Sequence, residues 1–157
     1  VIMVGPGTGV APFRAFMQQL MQPGAASGGA PSGKRTGAVR LYFGCRRSGV
    51  DYLYREEFEA AEKAGAITAL RTAFSREAGQ PKVYVQQRLQ EDAAELYTLM
   101  AEQRAHVYIC GGTAMGREVQ KLLTDLHVSK GGKTEAEAAR EMQRMAQAGR
   151  LVTELWS

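Results

Sequence analysis

The sequence is poor in the residues that build disulfide frameworks and metal centres: 157 residues include two cysteines, Cys45 and Cys110, and two histidines, His106 and His127. Two thiols make no disulfide framework, and with so few imidazoles a structural zinc site has no ligand set. This cysteine usage fits a reducing, intracellular compartment. No apolar run approaches the roughly 20 residues of a membrane-spanning helix. The net charge of +4 would suit nucleic acid or a multiply phosphorylated small molecule. There is no arginine-rich tract and no interleaved aromatic stripe, so nucleic acid is the poorer fit. No Gly-Lys-Ser/Thr follows the first glycine turn, as a P-loop would require, and the spacing there is not G-x-G-x-x-G. Hydrophobic residues at 45% and charged ones at 23% are ordinary for a globular chain, and the length suits one domain with a substantial core.

What is present is concentrated in the first dozen residues, Val1-Ile2-Met3-Val4-Gly5-Pro6-Gly7-Thr8-Gly9-Val10-Ala11-Pro12. Four apolar residues, three of them β-branched, read as a buried parallel strand. The glycines permit a tight turn and a close backbone approach to a ligand. Pro12 is tolerated at a helix start, and residues 13–21 carry helical spacing of apolar positions. Strand, glycine turn and helix N-terminus together make an anion site, read here as a pyrophosphate cradle.

Further along, residues 22–37 are rich in Gly, Ala, Ser and Pro, which predicts a flexible connection. Strands are predicted over 39–43, 66–74, 106–110 and 150–153, and helices over about 53–64, from Val83–Gln86 to about 103, over 115–127, and from Thr134 to about 148. Thr134 with Glu137 three residues on is a capping-box pattern. This alternation predicts an α/β fold: a doubly wound, mostly parallel, five-stranded Rossmann-like sheet with helices on both faces. Gly5–Gly9, Cys45–Ser48, Ser75-Arg76, Cys110–Gly112 and Glu154–Trp156 then all fall just past strand ends, the edge where open α/β sheets bind ligands.

An NAD-selective site places an acidic residue near the end of the second strand for the ribose 2′-hydroxyl. Here Arg46 and Arg47 stand there instead. Ser75, Arg76, Lys82 and Tyr84 add a hydroxyl, a guanidinium, an ammonium and an aromatic ring. A dianionic 2′-phosphate wants charge-assisted donors of this kind, so the set favours NADP over NAD.

The string Gly5–Phe13 resembles the NADP-binding module of ferredoxin–NADP reductase-like flavoproteins, the diflavin reductases above all. Leu41–Ser48, Asp51–Glu57, Ala73–Glu77, Lys82–Gln86, Tyr108–Gly111 and Trp156-Ser157 look like the corresponding stretches of the NADPH–cytochrome P-450 reductase group, in family order. The resemblance covers all but 22–37. It implies that Gly7, Thr8 and Gly9 hold the pyrophosphate and that Arg46 flanks the adenosine half. It further implies that Ser75, Arg76, Lys82 and Tyr84 bind the 2′-phosphate with Gln86 nearby, and that Glu118 lies at the cofactor. In the family NADPH gives a hydride to FAD, and electrons continue through FMN to a haem protein or other acceptor. Cys110 matches the cysteine beside the nicotinamide, Glu154 an acidic residue near the reacting centre, and Trp156 the aromatic that covers the flavin. Without the resemblance, Trp156 would read as an anchor for the last strand and Cys110 as inert packing.

Some positions depart from the family. Gly112 stands where Asp is common, Glu118 and Glu154 replace Asp, and Ala78–Pro81 carries an extra residue before Lys82. The chain begins inside an apolar strand without Met, so it is expected to be the C-terminal, NADP-binding part (1–157) of a longer flavoprotein. The FAD-binding and FMN-binding domains would be its partners in the same polypeptide, with a haem or other redox protein downstream. Alone it should be inactive as a reductase, and it should contact neither nucleic acid nor membrane. The parent would lie inside the cell on the cytoplasmic face, where an upstream segment could anchor it to the endoplasmic reticulum. An alternative is a stand-alone NADP-binding or sensing module, although a sensor has no use for a flavin shield. A short-chain dehydrogenase would need Tyr-x-x-x-Lys, but Tyr84 is followed four on by Arg88 and Tyr97 by Ala101.

Overall fold

The computed structural model describes residues 1–22 and 37–157. The connection expected over 22–37 therefore lies, apart from its two end residues, outside the described residues. Strand β1 (Ile2–Val4) is followed by a 3-10 turn (Gly7–Val10) and helix α1 (Ala11–Met21). Then come β2 (Arg40–Cys45), α2 (Arg55–Lys63), β3 (Ala69–Phe74), α3 (Val85–Glu91) and α4 (Ala93–Ala101). The chain continues through β4 (Val107–Gly112), α5 (Thr113–Ser129), α6 (Glu135–Gln147) and β5 (Leu151–Trp156).

The five strands form one parallel sheet in the order β3-β2-β1-β4-β5. Side chains alternate across it as strand geometry requires. Ile2, Val4 and Tyr42 join the core that Leu89, Leu96, Val119 and Leu123 of the helices from α3 onward complete. Met3, Leu41 and Phe43 join a second core with Phe13 and Met17 of α1 and Phe58 of α2. Both faces are thus covered, which is why β1 and β2 read as near-continuous apolar runs. Order along the sheet reverses between β1 and β4, so that junction is the topological switch point, where doubly wound folds bind ligands.

Local chemistry fixes the helix ends. Pro12 is the second residue of α1, where its missing N–H costs nothing. Thr134 and Glu137 form the expected capping box, the Glu137 N–H donating to Thr134 Oγ1 at 3.3 Å and the Thr134 N–H to Glu137 Oε2 at 2.8 Å. Several strand ends differ from the sequence expectation: β2 runs on to Cys45 and β3 begins only at Ala69, so Cys45, Cys110–Gly112 and Glu154–Trp156 lie within the ends of their strands rather than just past them. β4 continues through Gly111 and Gly112, and β5 takes in Glu154, Leu155 and Trp156, which pair opposite Cys110, Gly111 and Gly112. The tail is therefore strand, held by backbone pairing rather than by an apolar pattern. No helix among the described residues is long and apolar enough to cross a membrane.

Candidate functional site

A groove of about 880 Å³ opens at the C-terminal edge of β1, β2 and β3. Of the residues singled out from sequence, Gly7, Thr8, Arg46, Ser75, Tyr84, Gln86 and Glu118 line it. Arg76 and Lys82 are exposed and sit next in sequence to lining residues without lining it themselves. Gly9, Cys110, Glu154 and Trp156 are not part of its wall.

The glycine turn divides into two roles. Gly7 has φ +58°, a left-handed conformation that favours glycine, and open space beyond its Cα. Gly9 is buried because the chain itself comes close: a Cβ there would fall 2.1 Å from the Cys110 carbonyl oxygen. Gly9 therefore clamps the turn onto β4 at the switch point, and the close approach it permits is to the protein's own backbone. The Gly9 N–H donates to the Pro6 carbonyl at 3.1 Å. Among the described residues, the N–H groups of Gly7 and Thr8 have no hydrogen-bond partner, and Thr8 is exposed. Two free donors beside the start of α1 are what an anion needs.

The other end of the groove is a basic rim formed by the ends of β2 and β3. Backbone bonds zip the two ends together, Ser75 N–H to the Cys45 carbonyl at 3.0 Å and Arg76 N–H to the Arg46 carbonyl at 2.8 Å. Arg47 Nε reaches the Arg76 carbonyl at 3.3 Å, and Glu77 Oε2 accepts from the Ser48 N–H at 2.8 Å. Asp51 accepts from the Arg46 N–H at 3.2 Å, from Arg46 Nε at 2.8 Å and from the Arg47 N–H at 2.7 Å. These bonds, the Arg46 guanidinium first, hold its carboxyl down at about 2. Asp51 and Glu77 were not singled out from sequence. The only signal was an acid five residues after Arg46 in a Gly-containing loop, where such side chains tie back to backbone N–H groups.

Between the two ends, Gln86 Nε2 donates to Glu118 Oε2 at 2.6 Å, while Gln86 Oε1 is buried without a hydrogen-bond partner among the described residues. Gly44 forms part of the floor, since a Cβ there would meet Val85 at 3.0 Å and Pro6 at 3.4 Å.

Cys110, Glu154 and Trp156 gather at the ends of β4 and β5. Cys110 is buried and lies opposite Glu154 in the ladder. Burial first, and the Glu154 carboxylate second, push its thiol pKa up, so it is a neutral thiol and no nucleophile. Leu155, not Trp156, docks the last strand: it packs so tightly on α5 that a Cβ on Gly116 would lie 2.4 Å from it. Trp156 remains 45% exposed, its carbonyl accepting from Thr113 Oγ1 at 3.1 Å. An indole that the core does not use is free to cover a flat ligand.

Residues 3–121 match the family model of the oxidoreductase NAD-binding domain. The whole chain also aligns with NADPH–cytochrome P450 reductases, at 45% identity to that of Bos taurus and 44% to that of Homo sapiens, in each case over 22% of the relative's length. The enzyme of Salmo trutta is 43% identical, and the chain spans 25% of it. The chain thus corresponds to about a quarter or less of the curated relatives it matches.

Proposed function

Because the chain belongs to the oxidoreductase NAD-binding domain family, we propose that it is the NADPH-binding module (residues 1–157) of a diflavin reductase. The observation that carries this reading is the groove's two-ended donor set. Free Gly7 and Thr8 N–H groups lie at one end and a basic rim at the other, across a cavity of about 880 Å³. The pyrophosphate would lie on the turn and the 2′-phosphate at the rim, held by Ser75, Arg76, Lys82 and Tyr84, with Arg46 flanking the adenosine. Asp51 does line the groove near the second strand, the place of the acid in NAD-selective sites. Its oxygens are already engaged by Arg46 and the Arg47 N–H, so it is a poor acceptor for a ribose hydroxyl. That supports NADP over NAD.

When bound, NADPH supplies a hydride, and the flavins that accept and pass on its electrons, FAD and then FMN, would belong to partner domains of the same polypeptide. A haem protein or other redox acceptor would follow. In this reading the chain's own residues bind and orient. Cys110, as a neutral thiol, packs beside the nicotinamide, Glu154 sets the local charge, and the Trp156 indole covers the flavin until nicotinamide displaces it. Gln86 and Glu118 would contact the nucleotide between its two phosphate ends. The parent would sit on the cytoplasmic face of the endoplasmic reticulum, if anchored at all through another segment.

Calorimetric titration with 2′-AMP and 5′-AMP tests the reading. Binding of 2′-AMP with little binding of 5′-AMP is expected. Arg76→Ala should cost 2′-AMP about ten- to a hundredfold in affinity, the worth of a hydrogen bond to a charged group, and leave 5′-AMP unchanged. Equal affinity for the two nucleotides in the unsubstituted chain would overturn the NADP assignment.

A further inference from the structure

We infer that Asp51 is a positioning residue for the phosphate end of the groove: it holds the Arg46 guanidinium, which flanks the adenosine, and the adjoining backbone so that Arg46 also faces the 2′-phosphate bound by Ser75, Arg76, Lys82 and Tyr84. This rests on the NADP reading above and extends it to a residue that itself carries the wrong charge for the ligand.

One Asp51 oxygen takes both the Arg46 N–H and Arg46 Nε, and the other takes the Arg47 N–H. The side chain of Arg46 is thereby tied at its inner nitrogen. Its outer Nη groups make no hydrogen bond among the described residues, and the side chain is 62% exposed. An arginine gripped at Nε keeps a two-pronged edge for an anion, in one orientation rather than many. Ordering a long side chain before binding removes entropy that the ligand would otherwise have to offset. The same loop is fixed from its far side by Glu77, whose carboxylate accepts from the Ser48 N–H. Phosphate contacts built on a loop then rest on two carboxylates that never touch the phosphate.

The sign of one substitution separates this role from a bystander's. Asp51→Asn removes a negative charge from the wall of a groove that binds a dianion. Electrostatics alone would therefore tighten 2′-AMP binding. Loss of positioning weakens it, because an amide offers one acceptor oxygen in place of two and aims its NH₂ at donors.

The experiment is calorimetric titration of the unsubstituted chain and of Asp51→Asn with 2′-AMP and 5′-AMP, with far-UV circular dichroism to check the fold. The expected result is a five- to tenfold loss for 2′-AMP in the variant and less than a twofold change for 5′-AMP. Unchanged or tighter 2′-AMP binding in a folded variant overturns the positioning role and leaves the NADP reading standing. No preference for 2′-AMP in the unsubstituted chain sinks both. Should Asp51→Asn not fold, Glu77→Gln removes the clamp on the other side of the loop, with the same expected sign and the same overturning result.

Discussion

Gly9→Ala is the substitution whose cost follows most directly from the geometry. A Cβ at Gly9 would lie 2.1 Å from the Cys110 carbonyl oxygen, 2.8 Å from its carbon and 3.2 Å from Gly111 Cα. All three are backbone atoms of β4, which is paired on both sides by β1 and β5, so no side chain can rotate away. Either the turn or the strand must retreat by about 1 Å before ordinary van der Waals separation returns. Overpacking costs about 1–3 kcal/mol, and with backbone on both sides the upper end applies, about 3 kcal/mol. Gly7→Ala is the control. It meets nothing within 4 Å and bears only the left-handed backbone penalty, about 1–2 kcal/mol. Urea unfolding followed by far-UV circular dichroism should rank the variants in that order. At a slope of about 1–3 kcal/mol per molar urea, Gly9→Ala should lower the midpoint by at least ~1 M. It should also weaken 2′-AMP binding, since the Gly7 and Thr8 donors move with the turn. A Gly9→Ala midpoint within experimental error of the parent, or one above that of Gly7→Ala, would refute the switch-point clamp.

Two predictions concern charge inside the fold. Asp92 is buried and accepts from Tyr42 Oη at 2.8 Å, Arg40 Nη1 at 3.1 Å and Arg71 Nη2 at 2.7 Å. Asp92→Asn should cost about 3 kcal/mol in urea unfolding at pH 7, the low end for breaking a buried pair, because Arg40 keeps Glu95. Burial alone would raise the Asp92 pKa, but Arg71, Tyr42 and Arg40 outweigh it and hold it below the ordinary carboxylate range. The stabilisation is therefore present above that range and lost as pH falls through the lowered pKa, so parent and variant should converge in acid. His127 is fully buried, neither ring nitrogen has a hydrogen-bond partner among the described residues, and burial, then Lys133, lowers its pKa. Neutral in the fold and protonated when unfolded, it should make stability fall by up to about 1.4 kcal/mol per pH unit below pH ~6.5. His127→Leu should flatten that stretch of the stability–pH curve, and an unchanged slope would show that His127 is not its source.

Much of the architecture was legible because both faces of the sheet are covered. Runs such as Ile2–Val4 and Leu41–Phe43 leave little alternative to buried parallel strands, and Thr134 with Glu137 announces its helix. The end of β5 was not legible. Thr153, Glu154 and Trp156 are exposed on an edge strand, so backbone groups of β4 define it and side-chain alternation does not. The 3-10 turn at Gly7–Val10 was equally silent, since four residues carry no period. At the site, glycines, Ser75 and Tyr84 could be read from residue type alone. The carboxylates that organise the rim could not: apart from Arg46 Nε their partners are backbone N–H groups, whose directions exist only once the loop has folded. Arg40 gave the one hint of a buried ion network, a guanidinium opening an otherwise apolar strand.

The two ends of the groove use different physics, and this bears on where the chain's chemistry lies. At the turn, main-chain donors are fixed by a steric clamp and cannot be mutated away without disturbing β4. At the rim, charge is carried by side chains, of which Arg46 is tied to Asp51, so under the reading proposed above nucleotide preference would be altered there at little expense to the fold. The β4–β5 end answers to neither requirement. Leu155 already docks the strand, the Cys110 thiol is neutral, and the Trp156 indole stands 45% exposed. A large aromatic that neither packs the core nor lines the groove adds nothing to this fold in isolation. In the function proposed above, a flat surface brought to it, the flavin of a partner domain, would give it a use. Trp156→Ala should accordingly leave urea stability and 2′-AMP affinity unchanged while relaxing discrimination against NADH once the flavin domain is restored. A loss of stability comparable to that of a core residue would instead make Trp156 an anchor.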